Sequence, residues 1–300
     1  MTKELLDLRG IITVLNTPFT EDDRIDVPSL QKNVRRALDA GVAGFLVPAM
    51  ASEVGKLLPD ERRLMVQAVL EATGGCAPVI GGASATSGDA RSAAAETLLE
   101  LGCAGVLVSI SYQDDAQYER DAREIAALQP GFLMIQDWDF NGFGAPVALI
   151  ARLFEEIECF RSLKVEVVPA GVKYTQVIEA TGHRLHVCGG WAVMQMIEAL
   201  DRGVHAFMPT GMHEIYTRIY TLYAQGDRPA AVELFNRLLP VLAFSNQHLD
   251  ISIHFFKRLL HAEGVFSTPR VRQPILPFDS YHAVLCDDLI QRAAAITASL

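Results

Sequence analysis

Phe160-Arg161-Ser162-Leu163-Lys164-Val165-Glu166-Val167-Val168 is a run of strand-forming residues with a lysine at its centre. Its valines and leucine favour a pleated, buried surface, and the run is too short for a surface helix. A lysine in an apolar wall is costly, because burial disfavours the ammonium. The same burial frees the amine to attack a carbonyl and form a Schiff base. The alternative is a lysine at the strand mouth, paired with Glu166 or reaching water along its own stem. Alternation puts Lys164 and Glu166 on one face and Leu163 and Val165 on the other. An inward Lys164 leaves Leu163 and Val165 facing surrounding helices, which suits them. Glu166 then either moves a proton for the lysine or the substrate, or is a plain ion pair.

Working outward, short apolar runs alternate with longer helical stretches along most of the chain. Strands are expected at 10–16, 43–47, 78–82, 104–109, 132–136, 160–168, 185–188 and 204–208. Helices are expected at 27–40, 60–72 with Asp60 as cap, 87–101, 116–128, 146–157, 169–180, 191–200 and 212–225. Thr17-Pro18, Gly41, Gly102 and Gly189-Gly190 supply the stops. Eight successive strand–helix units predict an α/β fold, and they close most simply as a (β/α)8 TIM barrel. The competing open, doubly wound sheet lacks a Gly-x-Gly-x-x-Gly after the first strand. Beyond Arg228 the pattern is helical only, at about 228–244, 248–263 and 280–298, with an extended, three-proline stretch at 268–277. The expected organisation is a barrel over 1–226 and a C-terminal three-helix appendix over 227–300.

The chain has 300 residues, half of them apolar, enough for one large core. With 26 basic and 36 acidic residues its net charge is -10, and there is no basic run, which argues against nucleic acid or an anionic membrane as partner. An anionic small molecule needs only a local positive site. The five cysteines form no Cys-x-x-Cys pair and read as buried thiols in a reducing compartment. The N-terminus alternates charge and leucine, unlike a signal peptide, and nothing approaches a membrane-spanning length. A cytoplasmic protein is expected.

In such a barrel the active site lies at the C-terminal ends of the strands. That selects Thr17, Glu53, Tyr112, Gln136, Asp137, Lys164, Glu166, Gly189, Gly190 and the Pro209-Thr210 turn. His183, His186, His205 and His213 match no metal-ligand spacing and read as surface or interface residues. Trp138 and Phe140 either line a pocket or serve packing. Lys173 and Tyr174 read first as surface residues on the first turns of their helix and are reserve candidates for moving protons.

In order, these segments resemble the dihydrodipicolinate synthase / N-acetylneuraminate lyase family over nearly the whole chain. The stretch from Gly10 to Phe19 resembles the family's opening strand and Thr-Pro-Phe. Ala49-Met50-Ala51-Ser52-Glu53 falls on its Gly-Thr-Thr-Gly-Glu, and Ser109-Ile110-Ser111-Tyr112-Gln113 on its Thr-Pro-Tyr-Tyr-Asn. Lys164 falls on the strand-six Schiff-base lysine, Cys188-Gly189-Gly190 on the following glycine turn, and the stretch from Arg270 to Pro277 on Arg-x-Pro-x-x-Pro. The resemblance implies an imine between Lys164 and a 2-keto acid, with no metal or organic cofactor, in a homodimer or homotetramer. It implies catalytic roles for Lys164, Tyr112, Asp137 and Glu166. It implies substrate contacts from Met50, Ala51, Gln136, Gly189, Gly190 and Met208.

The departures narrow the class. Met50 and Ala51 replace the two threonines that receive the substrate carboxylate, leaving backbone N–H groups for that task. Ile135-Gln136-Asp137 stands where the family has its strand-five tyrosine, and no arginine follows it. Ile135-Gln136-Asp137 with Lys164-Val165-Glu166 is most similar to the 2-keto-3-deoxy sugar-acid dehydratases of the family. The resemblance therefore implies a lyase of the dehydratase or aldolase type. Alternatives are a synthase condensing pyruvate with an aldehyde, and an impaired member that only binds a keto or sugar acid.

Overall fold

A computed structural model describes residues 5–300 of the chain. Its strands are β1 (Gly10–Val14), β2 (Gly44–Val47), β3 (Val79–Gly82), β4 (Gly105–Ser109), β5 (Leu133–Asp139), β6 (Phe160–Val167), β7 (His186–Gly189) and β8 (Ala206–Phe207). They follow one another in sequence order as a closed parallel barrel. The intervening helices are α1 (Val27–Asp39), α2 (Pro59–Thr73), α3 (Gly88–Glu100), α4 (Asp115–Ala126), α5 (Val147–Glu156), α6 (Ala170–Ala180), α7 (Met196–Asp201) and α8 (His213–Ala224). Three more follow: α9 (Arg228–Ser245), α10 (Leu249–Ala262) and α11 (Ser280–Thr297). Among the described residues no helix is long and apolar enough to cross a membrane.

Two elements differ from the expected ones. Asp60 lies inside α2 and does not cap it; the Glu61 carboxylate accepts from the Leu58 amide instead. The stretch 191–200 begins as a 3-10 helix at Trp191–Gln195 and becomes α-helical only at α7. Of the five cysteines, Cys103, Cys188 and Cys286 are buried, while Cys76 is exposed and Cys159 half-buried.

One compact unit is built on Pro78–Met208. Its centre is β6, whose register aligns Gln136 of β5 with Lys164 and Lys164 with Cys188 of β7. Strands buried on both faces read as near-continuous apolar runs, as β4 does, whereas β6 is buried along most of its length yet carries Ser162, Lys164 and Glu166. His186 and His205 lie fully within this unit, their rings 5.3 Å apart. His186 Nε2 donates to the Leu8 carbonyl at 2.7 Å, so its Nδ1 accepts from Ser162 at 2.8 Å. Burial drives both rings toward the neutral form, His186 to about 3 and His205 to about 4. Only His183 of the histidine group is exposed.

The second unit combines Ile11–Ala77 with Pro209–Leu300. Here His213 is buried too, bridging Thr13 of β1 at 3.2 Å and Asn33 of α1 at 3.1 Å. Buried histidines thus replace the expected surface ones, because each finds partners for both ring nitrogens or a strand amide. Glu53 is the buried anchor of this unit. Its carboxylate pairs with Lys257 of α10 and with Lys56 at 3.1 Å, and accepts from the Arg272 amide at 2.9 Å. Lys257 and Arg272 both sit 4.2 Å from the centre of the Phe19 ring. The extended segment after α10 is held to the β2–α2 connection by these contacts.

Candidate active site

Strand parity determines which groups meet around Lys164. Lys164 and Glu166 share one face of β6, and both are buried. Lys164 Nζ lies 3.2 Å from Glu166 Oε1. Gln136, beside Lys164 in register, donates its amide to Glu166 Oε2. The carboxylate is therefore held from two sides, by the ammonium at one oxygen and the carboxamide at the other. The Cys188 thiol is the neighbour of Lys164 on β7, and burial pushes it up to about 12, so it stays a thiol.

Gly190 follows β7 and leaves room for this cluster. A Cβ there would come within 1.7 Å of Glu166 Oε1 and 2.4 Å of the Lys164 Cε. Gly189 aligns with Val165 and with Phe207, and its carbonyl accepts from the Met208 amide at 2.9 Å. Met208 is itself buried.

Asp137 is on the opposite face of β5. Its Oδ2 lies 3.0 Å from Lys173 Nζ, and its Oδ1 accepts from the Ala145 amide at 2.9 Å. Lys173 also donates to the carbonyls of Phe143 and Ala145, and its ammonium lies 4.8 Å from the centre of the Phe143 ring. Desolvation pushes the Asp137 carboxyl up, against the opposing pull of Lys173. Far from lying on the surface, Lys173 and Tyr174 are buried. Val177 and Ile178, four residues further on, extend the same buried face of α6. That i, i+4 spacing is the sequence signal that marks them as inward.

The loop after β5 is thereby tied down. Trp138 and Phe140 pack edge to face at 5.5 Å, and Phe140 packs in the same way on Trp191 at 5.6 Å. Tyr112 stands apart from this group. It is exposed, donates its hydroxyl to Asp115 at 2.8 Å and packs on Tyr118, and the Asp115 hydrogen bond pushes its phenol up.

Met50 and Ala51 lie in the second unit, in a 3-10 turn at Met50–Ser52. Asn16 donates to the Ala51 carbonyl at 2.7 Å and Thr17 to that of Ser52 at 2.6 Å. Ser52 donates to the Leu15 carbonyl at 2.5 Å, so the turn is fastened to the end of β1. The Met50 side chain is exposed.

A family model described as the dihydrodipicolinate synthetase family matches residues 7–293. L-2-keto-3-deoxyarabonate dehydratase of Azospirillum brasilense is 27% identical over 278 residues, covering 89% of this chain and 88% of that protein. A 4-hydroxy-tetrahydrodipicolinate synthase of Salinibacter ruber is 34% identical over 100 residues, 33% of each chain. The crystal structure of dihydrodipicolinate synthase from Rhodopseudomonas palustris superposes with a TM-score of 0.87 at 21% identity, covering 95% of this chain and 97% of that one.

Proposed function

The chain belongs to the dihydrodipicolinate synthetase family, and on that premise we propose that it is a lyase working through a Schiff base on Lys164. Its proposed substrate is a 2-keto-3-deoxy sugar acid, dehydrated or cleaved next to the imine. The observation that carries this reading is the buried Lys164 amine facing a single carboxylate, Glu166, at 3.2 Å. The similarity to a sugar-acid dehydratase spans 89% of the chain, whereas that to the synthase spans 33%. This favours dehydration over condensation with an aldehyde.

The chemistry follows from the arrangement. Lys164 gives its proton to Glu166 and attacks the keto carbon; a second amine proton moves to the new alkoxide, Glu166 returns its proton to that hydroxyl, water leaves, and a protonated imine beside an ionised Glu166 remains. The imine draws electrons from C3, whose proton then passes to a base. We assign that base to Glu166, a reading supported by its 3.2 Å contact with Lys164, by the Lys173 partner that holds the Asp137 carboxylate on the other face of β5, and by the Asp115 partner of Tyr112. The protonated Glu166 then gives that proton to the C4 hydroxyl, which leaves as water while the electron pair at C3 forms the C3–C4 double bond. Gln136 orients Glu166 throughout. It belongs to the stretch Ile135-Gln136-Asp137 that stands where the family carries a tyrosine, but it positions the carboxylate and does not itself exchange protons.

Borohydride reduction in the presence of pyruvate is expected to add a stable mass to Lys164 alone. Glu166→Gln is expected to lower turnover of a 2-keto-3-deoxy acid by about a hundredfold or more. Absence of any adduct with pyruvate or a ketodeoxy acid would overturn the mechanism. We further expect a homodimer or homotetramer in a reducing, cytoplasmic compartment. Exposed Tyr112 at one end of β4 and exposed Tyr281 and Val284 on α11 support association, and the unpaired cysteines support the compartment. Light scattering that returned the mass of one chain at micromolar concentration would count against assembly.

A further inference from the structure

Beside Glu166 lies a cavity of about 240 Å³. Its lining is largely apolar and includes Phe140, Val165, Val168, Val172 and Trp191. Phe140, Val168 and Val172 are all exposed, with Val168 at 59%, so apolar surface is offered to solvent at the rim of a polar site. Phe140 is held against Trp191, and the loop that carries it is anchored by the buried Lys173–Asp137 pair. The rim is thus a fixed wall.

The charged groups of the lining are carboxylates, Glu166 and Glu198, and neither lysine nor arginine lines the cavity. Each lining carboxylate already holds a cation. Lys164 faces Glu166, and Arg202 is bound to Glu198 at 3.0 Å and to Thr175 at 2.8 Å. A terminal phosphate or carboxylate entering here would lose its hydration and meet carboxylates, with no uncommitted cation in the lining to receive it. An uncharged group with an apolar face would instead cover ring and valine surface.

We propose that this cavity is the subsite for the distal end of the substrate, accepting an uncharged group with an apolar face and rejecting a terminal phosphate or carboxylate. The proposal rests on the Schiff-base reading only for the placement of the keto-acid head. Phe140 and Trp191 are then the specificity-determining side chains.

The chain carries only two tryptophans, Trp138 and Trp191, both in this aromatic cluster, so its intrinsic emission reports on the rim. Titrating the full chain with 4-phenyl-2-oxobutanoate and with 2-oxoglutarate, two keto acids differing in the distal group, is the direct test. The phenyl compound is expected to bind at least about tenfold tighter, the scale of discrimination a small apolar contact supplies. Phe140→Ala is expected to narrow that gap and Phe140→Tyr to restore it. Equal affinities, or a gap indifferent to Phe140→Ala, would overturn the proposal. Borohydride trapping of the same mixtures separates the two readings. Adducts without preference sink the subsite and leave the imine standing, while preference without an adduct sinks the imine and leaves the subsite.

Discussion

A single buried amine cannot direct chemistry unless its neighbours hold it, and here they come from β6 itself, from β5 and from the turn after β7. Gln136 and Lys164 are register partners, so their side chains rise together toward Glu166. Gly190 matters as much as any of them, by what it omits. Gly190→Ala would drive a methyl into the Glu166 carboxylate and the Lys164 stem. It is expected to slow borohydride trapping with pyruvate by about a hundredfold through misplacement of the reacting groups. A trapping rate equal to that of the parent chain would show that the glycine turn is not what seats the cluster.

At the scale of elements, β5 divides its polar residues between two faces, and α6 supplies the partner on one of them. Gln136 serves the Lys164 face, and Asp137, one residue on, serves the helix face. The Asp137–Lys173 pair bonds the Ala145 amide and the Phe143 and Ala145 carbonyls, so it fixes the loop that leaves β5. Gly144 adopts a positive φ of +67° there, and a Cβ on it would strike the Asp137 carboxylate. Lys173→Met would leave a buried carboxylate without its counter-charge, at a cost of about 3–5 kcal/mol. Adding Asp137→Asn should recover part of that loss, since a neutral amide needs no counter-ion. Urea unfolding of the two variants decides the matter. A Lys173→Met chain as stable as the parent would mean that the pair carries no stability.

At the scale of the molecule, the buried histidines set an acid limit. His186 and His205 titrate near 3 and 4 when folded, against an ordinary value of 6.5. The unfolded chain therefore binds more protons than the folded one between those values, and stability falls as pH drops. The loss approaches about 1.4 kcal/mol per pH unit for each histidine below 6.5, and flattens as the folded values are reached. Urea midpoints measured from pH 7 to pH 4.5 should fall accordingly. A midpoint that stays level across that range would contradict the burial of these two rings.

The order of strands and helices, and hence the barrel, was legible in the sequence. Periodicity is local, and eight repeats admit few closed arrangements. The same local rule placed Lys164 and Glu166 on one face of β6. It could also separate Gln136 from Asp137 by parity, but only once β5 was known to continue through Asp137 to Asp139. What tertiary structure alone decided was the partner of each polar group. Asp137 turned to Lys173, the histidines found carbonyls and hydroxyls in the interior, and Glu53 met Lys257 of a helix some two hundred residues away. A residue's type and spacing state that a charge must be compensated if buried. Which distant side chain compensates it depends on how the elements pack, and that information is held in no single stretch of the chain.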